Sequence, residues 1–382
     1  MRQEPMNKPV TVVVIRSLSY TGTTWFNAVL GSHQRAFAHG PPDRTFKMRR
    51  EPTGESCRIH GLDCPFWSSF WATFDADKNY YLQLAAHADR DVIVINNPIP
   101  TEAGAELRHR DIIVKSIYLI RDGRALAASY RRHTKDASYL DAVTQFLWPS
   151  FGQFYFDPDN TEKLSLRYED VLSDPATALG QVSEFLGFEY PSKALRFWEY
   201  EHHLSAGNAG TIALAKIGAG IELSDFRRRE FYEQQFQEMQ VKGPSAFADD
   251  AWSVELTNRE RFIFDLLWGA TNEAFGYERD RFNLREVAGF SDELRHSLAH
   301  ESVNEGAAQA LLANLEMQPS IAKVATNEPE LRLSVREQLR WANLRTRGLN
   351  LSPLQVKLLG LKVILPAATA MCVLTALLIL VF

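Results

Sequence analysis

The chain has few cysteines, no excess of positive charge and no apolar leader at its start. Three cysteines in 382 residues are too few to hold a scaffold of this size together, so their number does not require an oxidising compartment. The net charge of −5 provides no broad positive field, and nucleic acid is therefore not expected as a partner. Residues 1–9 contain no run of apolar residues, so export by an N-terminal signal peptide is not expected.

The C-terminal residues have the opposite character. Residues 363–382 carry no charge and are long enough, at about 30 Å as a helix, to cross a bilayer. The alternative is a buried helix of a soluble domain, but such a helix usually keeps a polar face. Upstream, residues 328–346 predict a basic amphipathic helix, which either lies on anionic headgroups or packs on the main domain. With the positive-inside rule, we expect a single-pass, tail-anchored membrane protein whose main domain is cytoplasmic.

Short β-branched runs alternate with helical patterns through the rest of the chain. Apolar continuity of this kind is typical of strands that helices cover on both faces, as in a parallel sheet. The sequence therefore predicts a doubly wound α/β domain over residues 8–280, a helical extension over 281–356 and a transmembrane anchor over 357–382. The predicted strands are residues 10–15, 92–95, 112–120 and 164–168.

A turn rich in hydroxyl groups follows the first predicted strand and leads into a helix. Such a P-loop-like strand-loop-helix presents free N–H groups and the positive end of a helix dipole to an anion. A Walker loop is excluded because Thr23 follows Gly22 and Ser17 replaces the first glycine, which disfavours ATP or GTP hydrolysis. Taken alone, the segment is equally consistent with a capped helix start.

A second anion pocket is predicted after the third strand. Arg121 stands at the carboxyl end of that strand and Ser129 on the following helix, so a guanidinium and a hydroxyl can converge on one phosphate. Ligands of open α/β sheets bind at this edge, so both pockets are expected in one crevice. The alternative for Arg121 is a surface arginine or one paired with Asp122.

Together these segments resemble the sulfotransferases that use 3′-phosphoadenosine 5′-phosphosulfate. In that family [KR]-S-G-T-T-W binds the 5′-phosphosulfate and R-[DN]-x-R-x-x-x-x-S binds the 3′-phosphate. A third likeness, to the family's R-Y-E-D-L, surrounds Tyr168, and the resemblance covers about residues 10–280. It implies nucleotide contacts from Tyr20, Thr21, Gly22, Thr23, Thr24, Trp25, Arg121, Ser129 and Tyr168.

The resemblance implies transfer of a sulfuryl group to a hydroxyl or amine of a small molecule, glycan or lipid. The predicted anchor favours a membrane-associated acceptor. Fixed N–H donors can stabilise this displacement without a metal, so no metal cofactor is expected. Two alternatives stay open: a catalytically impaired nucleotide-binding membrane scaffold with the same fold, and a nucleotide kinase. The sequence makes no prediction of oligomeric state.

Two family features are missing. Tyr20 stands where the family has a cation, and Arg16 is the candidate substitute. A bacterial branch carries a carboxylate base after the glycine that corresponds to Gly40, but here Pro41 follows. A base must take the acceptor's proton, and His39 is our candidate, with Asp43 second. The alternative for His39 is a structural role.

Cys57, His60 and Cys64 form a compact cluster of metal-binding residue types. Structural zinc needs four ligands and no second CxxC is present, so the sequence predicts no metal here. The cysteines either form a disulfide or remain thiols, and a cytosolic location favours thiols. The resemblance to bacterial sulfotransferases implies a loop over the acceptor cleft.

Overall fold

A computed structural model describes residues 8–50, 57–97, 101–148, 151, 162–224, 226–300 and 303–324. Two compact units divide the chain: residues 1–135 with 150–255, and residues 136–149 with 256–382. The predicted membrane span at 363–382 and the predicted basic helix at 328–346 lie outside the described residues. None of the helices built from described residues has the length and apolar character to cross a bilayer.

The first unit is built on a five-stranded sheet in which all strands are parallel. The order across the sheet is β2-β3-β1-β4-β5. This confirms the predicted α/β class with a parallel sheet. The strands are β1 (Val10–Arg16), β2 (Ala36–Gly40), β3 (Val92–Asn96), β4 (Ile112–Ile120) and β5 (Glu162–Arg167).

Two strands differ from the prediction. The sequence analysis missed β2, a short strand of mostly small residues that is held by pairing with β3. The predicted strand over 164–168 is shifted, because β5 ends at Arg167 and Tyr168 is the first residue of a helix. The side chain of Tyr168 therefore starts from a helix and not from the sheet.

Helices of the first unit connect the strands. Their apolar faces are buried with the strands in one core, which includes Phe26, Val29 and Leu30 of the first helix. The helices are α1 (Thr23–Gly31), α2 (Asp43–Arg50), α3 (Pro65–Thr73), α4 (Tyr80–Ala88), α5 (Thr101–Glu106), α6 (Gly123–His133), α7 (Tyr168–Ser173), α8 (Pro175–Leu186), α9 (Ala209–Gly218), α10 (Arg229–Lys242) and α11 (Trp252–Glu255). Single turns of 3-10 helix lie at Ser192–Leu195, Phe197–Glu199 and Gly243–Phe247.

The strand order brings two loops together. β1 pairs with β3 on one side and with β4 on the other, and Arg16 at the end of β1 is in register with Tyr118 of β4. The chain runs from β1 through α1 to one edge of the sheet and from β4 towards the opposite edge, which makes the carboxyl ends of β1 and β4 a topological switch point. The loops after these two strands are therefore neighbours.

The second unit is helical. Asn314 Nδ2 donates to the carbonyl of Leu266 at 2.6 Å, and the rings of Phe262 and Phe290 lie 5.7 Å apart. These contacts group residues 256–280 with the helices that follow, whereas the sequence predicts a boundary at residue 280. The helical segments are Tyr139–Asp141, Ala142–Phe146, Asn258–Phe264, Asp265–Gly269, Ala270–Ala274, Leu284–His300 and Glu305–Val324.

Candidate functional site

The loop between β1 and α1, residues 17–22, is held in place by a side chain at the end of the neighbouring strand. Asn97 Oδ1 accepts from the Ser17 N–H at 3.0 Å, and Asn97 Nδ2 donates to the Ser17 carbonyl at 2.7 Å. Two residues of the loop have left-handed backbones, Tyr20 with φ 69° and Gly22 with φ 82°. We call residues 17–22 the β1 loop. Its conformation places Gly22 as the N-cap of α1.

The start of α1 offers hydrogen-bonding groups for an anion. Gly22 has no side chain to cap the helix, and no side-chain cap bond is present. Thr21 Oγ1 and Trp25 Nε1 are buried and have no hydrogen-bond partner among the described residues. Buried polar groups are nearly always bonded, so unpartnered groups beside a helix N-terminus favour a ligand there. The hydroxyls of Ser17 and Thr23 contact each other.

A distant segment packs on the same helix start. The Asn208 N–H donates to Thr24 Oγ1 at 2.9 Å. A Cβ on Gly207 would lie 2.4 Å from Thr24 Cγ2, so this close approach requires glycine. The Gly207-Asn208 pair therefore fixes the position of Thr24.

Tyr168 covers the β1 loop from the other side. A Cβ on Gly22 would lie 2.5 Å from Tyr168 Cε2, so the ring rests directly on the glycine backbone. The Tyr168 hydroxyl donates to the Phe247 carbonyl at 3.0 Å. Burial raises the pKa of Tyr168 to about 12, which keeps the phenol neutral and donating at physiological pH.

Arg121 joins the two predicted motifs. Its Nη1 donates to the Tyr20 carbonyl of the β1 loop at 2.6 Å, and its guanidinium lies 5.0 Å from the centre of the Tyr168 ring. The side chain is 6% exposed, and its Nε has no hydrogen-bond partner among the described residues. In the part of the chain that the structure describes, the ion pair of Asp122 is with Arg124, at 2.7 Å, and not with Arg121. The two motifs are thus in direct contact.

The anion that Arg121 holds in this structure is a carboxylate of the same chain. Asp249 Oδ2 accepts from Arg121 Nη2 at 3.1 Å and also from Arg132 Nη2. Arg132 Nη2 donates in turn to Ser129 Oγ at 3.0 Å. Burial acts to raise the pKa of Asp249, but the hydrogen bond from Arg132 and the charge of Arg121 outweigh it, so the pKa is lowered. Two guanidinium groups, a serine hydroxyl and a carboxylate therefore share one pocket.

Sequence reasoning missed Arg132, Asp249 and Asn97. Asp249 is separated from Arg121 by 128 residues, so no local spacing links them. Asn97 follows β3, and 80 residues separate it from Ser17, so no local spacing links these two either. Arg132 is the exception, since its position three residues after Ser129 on α6 puts both side chains on one helix face.

His39 is fully buried at the end of β2. Its Nδ1 donates to the Gly40 carbonyl at 3.1 Å, so its Nε2 accepts from the Tyr80 hydroxyl at 2.8 Å. Burial lowers its pKa to about 4. These contacts favour the structural alternative, and the catalytic role stays a prediction. The second candidate, Asp43, is exposed at the start of α2.

The candidate substitute for the missing cation also has a partner. Arg16 Nε donates to Ser116 Oγ at 3.3 Å, on the neighbouring strand β4. The Tyr20 ring, which stands at the family's cationic position, stacks on His133 at 5.4 Å. The Arg16 and Tyr20 side chains are thus in contact with Ser116 and His133, respectively.

A basic cavity of about 450 Å³ lies next to the segment that contacts Thr24. Ala209 lines it and follows Asn208, which donates to Thr24. Its other lining residues are four cationic and two aromatic side chains: Arg58, Lys216, Arg227, Arg228, Phe226 and Tyr232. The cavity can therefore bind a ligand that carries negative charge and an apolar or planar part.

No protein-family model and no curated protein matches the chain. Among solved structures, it is similar to the sulfotransferase domain of the Synechococcus PCC 7002 olefin synthase, at 18% identity and a TM-score of 0.38, covering 63% of this chain and 98% of that one. It is also similar to the sulfotransferase domain from the curacin biosynthetic pathway, at 16% identity and a TM-score of 0.39, covering 62% and 99%. A third similar structure is mouse sulfotransferase SULT7A1 complexed with PAP, at 12% identity and a TM-score of 0.35, covering 70% and 88%.

The identities and TM-scores are low, so the functional proposal rests on the contacts of this chain's own residues. All three similar structures are sulfotransferases or sulfotransferase domains.

Proposed function

We propose that this chain is a sulfotransferase that moves a sulfuryl group from 3′-phosphoadenosine 5′-phosphosulfate to a hydroxyl or amine. The observation that carries the proposal is the 2.6 Å hydrogen bond from Arg121 Nη1 to the Tyr20 carbonyl. It brings the two motifs that resemble the 5′ and 3′ phosphate sites of the family into direct contact. One nucleotide that carries phosphate at both its 3′ and 5′ positions can therefore occupy both.

Each group has a defined task in this proposal. The β1 loop and the start of α1 hold the 5′-phosphosulfate through amides and the hydroxyls of Thr23 and Thr24, while Arg121, Arg132 and Ser129 hold the 3′-phosphate. The acceptor oxygen or nitrogen forms a bond to sulfur as the bond between sulfur and the bridging phosphate oxygen breaks. Negative charge then gathers on that bridging oxygen, where fixed donors of the loop stabilise it.

The acceptor's proton must pass to a base, and the described contacts leave this role open. The buried His39, with both ring nitrogens bonded, and the uncharged Tyr20 favour a second candidate function: a nucleotide-binding scaffold with impaired catalysis. The two functions differ in turnover. Binding of adenosine 3′,5′-bisphosphate without sulfuryl transfer to any hydroxyl or amine in a broad acceptor panel would support the scaffold.

The acceptor is proposed to carry negative charge. Ala209 lines the basic cavity and follows Asn208, which contacts Thr24, and this adjacency supports an acceptor site near the proposed 5′ end of the nucleotide. A membrane-associated glycan or lipid, the acceptor class predicted from sequence, fits the cavity when it is anionic. Pairs of acceptors that differ only in one carboxylate test this, and Arg228→Gln is expected to raise KM for the charged member alone.

Attachment to a membrane through residues 363–382 is part of the proposal. Deletion of residues 357–382 is expected to yield a protein that no longer sediments with membranes but still binds the bisphosphate. Recovery of the truncated protein with membranes would count against this segment as the sole attachment.

Replacement of Arg121 tests the nucleotide site directly. Arg121→Ala removes a charge-assisted bond to the 3′-phosphate, so bisphosphate affinity is expected to fall by about 1.5–3 kcal/mol, roughly 10- to 150-fold. Arg110→Ala is the matched control, because Arg110 lies before β4, at the opposite end of the strand from Arg121, and is 89% exposed. Titration calorimetry measures both affinities, and circular dichroism checks the fold. Equal affinities in folded Arg121→Ala and wild type would refute the assignment.

A further inference from the structure

Four side chains of metal-binding types converge in the first unit. Cys57, His60 and Cys64 precede α3, and His203 comes from the segment before α9. One ligand atom from each lies within 4.8 Å of the others. Both cysteines are free thiols and fully buried, and His203 is 9% exposed. The cluster therefore faces the protein interior.

The distances within the cluster match a tetrahedral ion. Cys57 Sγ lies 3.5 Å from His60 Nδ1, and Cys64 Sγ lies 3.9 Å from the same nitrogen and 3.3 Å from His203 Nδ1. With zinc–sulfur bonds of about 2.3 Å and zinc–nitrogen bonds of about 2.0 Å, tetrahedral geometry separates sulfur from nitrogen by about 3.5 Å. The three observed separations lie around that value.

The backbone shapes the first part of the cluster for a thiolate ligand. Gly61 has a left-handed φ of 76° and its N–H donates to the Cys57 carbonyl at 3.1 Å, which closes a tight turn. The His60 N–H points to Cys57 Sγ at 3.4 Å. An N–H directed at sulfur stabilises the negative charge of a coordinating thiolate. This turn brings Cys57 and His60 to the same point.

The second part of the cluster is oriented by contacts outside it. His203 directs Nδ1 to Cys64, while its Nε2 lies 3.3 Å from Glu201 Oε1. A carboxylate on the far nitrogen of a histidine is the usual support of a metal ligand, because it leaves the other nitrogen free of its proton. The His203 ring stacks on Phe66 at 4.6 Å, and the Arg58 N–H donates to the Leu204 carbonyl at 2.8 Å. Both segments are thus held side by side.

We propose that Cys57, His60, Cys64 and His203 bind one structural zinc ion. Four protein ligands close the coordination sphere, and two thiolates balance the charge of the ion, as in structural zinc sites. The sequence analysis expected no metal because it found three ligands. The fourth, His203, is 139 residues from Cys64. The proposal does not depend on the sulfotransferase assignment.

The ion would fasten the segment that supports the nucleotide site. Two residues after His203, the Ser205 hydroxyl donates to the His39 carbonyl at 3.0 Å. Three residues further, the Asn208 N–H donates to Thr24 Oγ1. This effect rests on the proposed nucleotide site, whereas the zinc site does not: removal of zinc is expected to weaken bisphosphate binding because this segment loses order, with the ion touching no substrate.

Elemental analysis of the full chain, purified without chelator or metal-affinity tag, tests the site. About one zinc ion per chain is expected in the wild type, and about a tenfold lower content in Cys64→Ser and His203→Asn. His202→Asn is the matched control, because His202 is adjacent, also buried and bonded to the Phe197 carbonyl outside the cluster. It should keep its zinc. Replacement of zinc by cobalt should give the absorption bands of a tetrahedral ion with thiolate ligands.

A measurement on the wild type guards against variants that fail to fold. Alkylation mapped by mass spectrometry should leave Cys57 and Cys64 unmodified until a strong chelator is added, and zinc should restore their protection. Wild type without zinc after expression in zinc-supplemented medium, or a Cys57–Cys64 disulfide, would overturn the proposal. So would full zinc content in both ligand variants, or alkylation that a chelator does not change.

Discussion

Neutralising Asp249 is expected to tighten nucleotide binding. Its carboxylate accepts hydrogen bonds from Arg121 and Arg132, and Arg132 also donates to Ser129. If this pocket holds the 3′-phosphate, the nucleotide must displace Asp249 before it can bind. Asp249→Asn keeps the size and shape of the side chain while removing the charge that competes with the phosphate.

The size of the effect follows from the two ion pairs. A hydrogen bond between charged groups contributes about 1.5–3 kcal/mol when buried, but exposed pairs contribute less than about 1 kcal/mol. The Asp249 side chain is 30% exposed and that of Arg121 is 6% exposed, so the free energy of this ion pair lies between the buried and the exposed values. We therefore expect affinity for adenosine 3′,5′-bisphosphate to rise by about 1–2 kcal/mol, or roughly 5- to 30-fold.

Titration calorimetry with two nucleotides isolates this effect. Affinity for the bisphosphate should rise in Asp249→Asn, whereas affinity for adenosine 5′-monophosphate, which has no 3′-phosphate, should stay near the wild-type value. Asp250→Asn is the matched control, since it removes the same charge at the next residue, which is exposed. The gain should shrink as salt is added, because screening weakens the competing pairs.

The reasoning fails if a folded Asp249→Asn protein binds the bisphosphate no more tightly than wild type. Equal gains for both nucleotides would likewise refute it, because the benefit would then have no link to the 3′-phosphate. A loss of affinity would indicate that Asp249 orders the two arginines for the ligand and does not compete with it.

Two further predictions concern backbone and burial. In Gly22→Ala the new Cβ would sit on a left-handed backbone, φ 82°, and 2.5 Å from the Tyr168 ring, so thermal unfolding should show a loss of stability of about 1–3 kcal/mol. The affinity for the bisphosphate should fall as well. Gly180→Ala, which has open space around it in α8, should lose neither stability nor affinity. Burial lowers the pKa of His39 from 6.5 to about 4. Below pH 6.5 the His39 side chain is therefore protonated in the unfolded chain, but in the folded chain it stays neutral down to about pH 4. Stability from this group is full above pH 6.5 and falls by about 1.4 kcal/mol per pH unit towards pH 4, so urea unfolding of His39→Gln should show a shallower pH dependence, and equal slopes would contradict the burial argument.

Local sequence patterns predicted the features of the fold and the site that depend on residues close together in the chain. The apolar runs of β1, β3 and β4 identify buried strands, and the spacing of Arg121 and Ser129 identifies one pocket. β2 was missed because its small residues and His39 give no alternation or β-branched run, and its strand geometry comes from pairing with β3. Tyr168 was placed in a strand because its helix begins without a capping side chain.

Contacts between distant residues could not be predicted in this way. His203 completes a cluster begun by Cys57, and Asp249 enters the pocket of Arg121, yet neither position has a distinctive neighbourhood in the sequence. Each becomes visible only when the fold closes a loop of more than a hundred residues. The sequence shows Cys57, His60 and Cys64 close together but led to a prediction of no metal, and it predicted the pocket of Arg121 without Asp249.

The side chain of Asn97 imitates a peptide group. With one acceptor and one donor it pairs with both main-chain groups of Ser17, as a further residue of β3 would, so the rigidity of the sheet extends past the ends of its strands into the turn. A turn that already has its bound conformation loses little conformational entropy when an anion binds, so the anion binds more tightly. Aspartate and leucine each lack at least one half of this pairing, and a chain with either at this position would have to order the turn when a ligand binds.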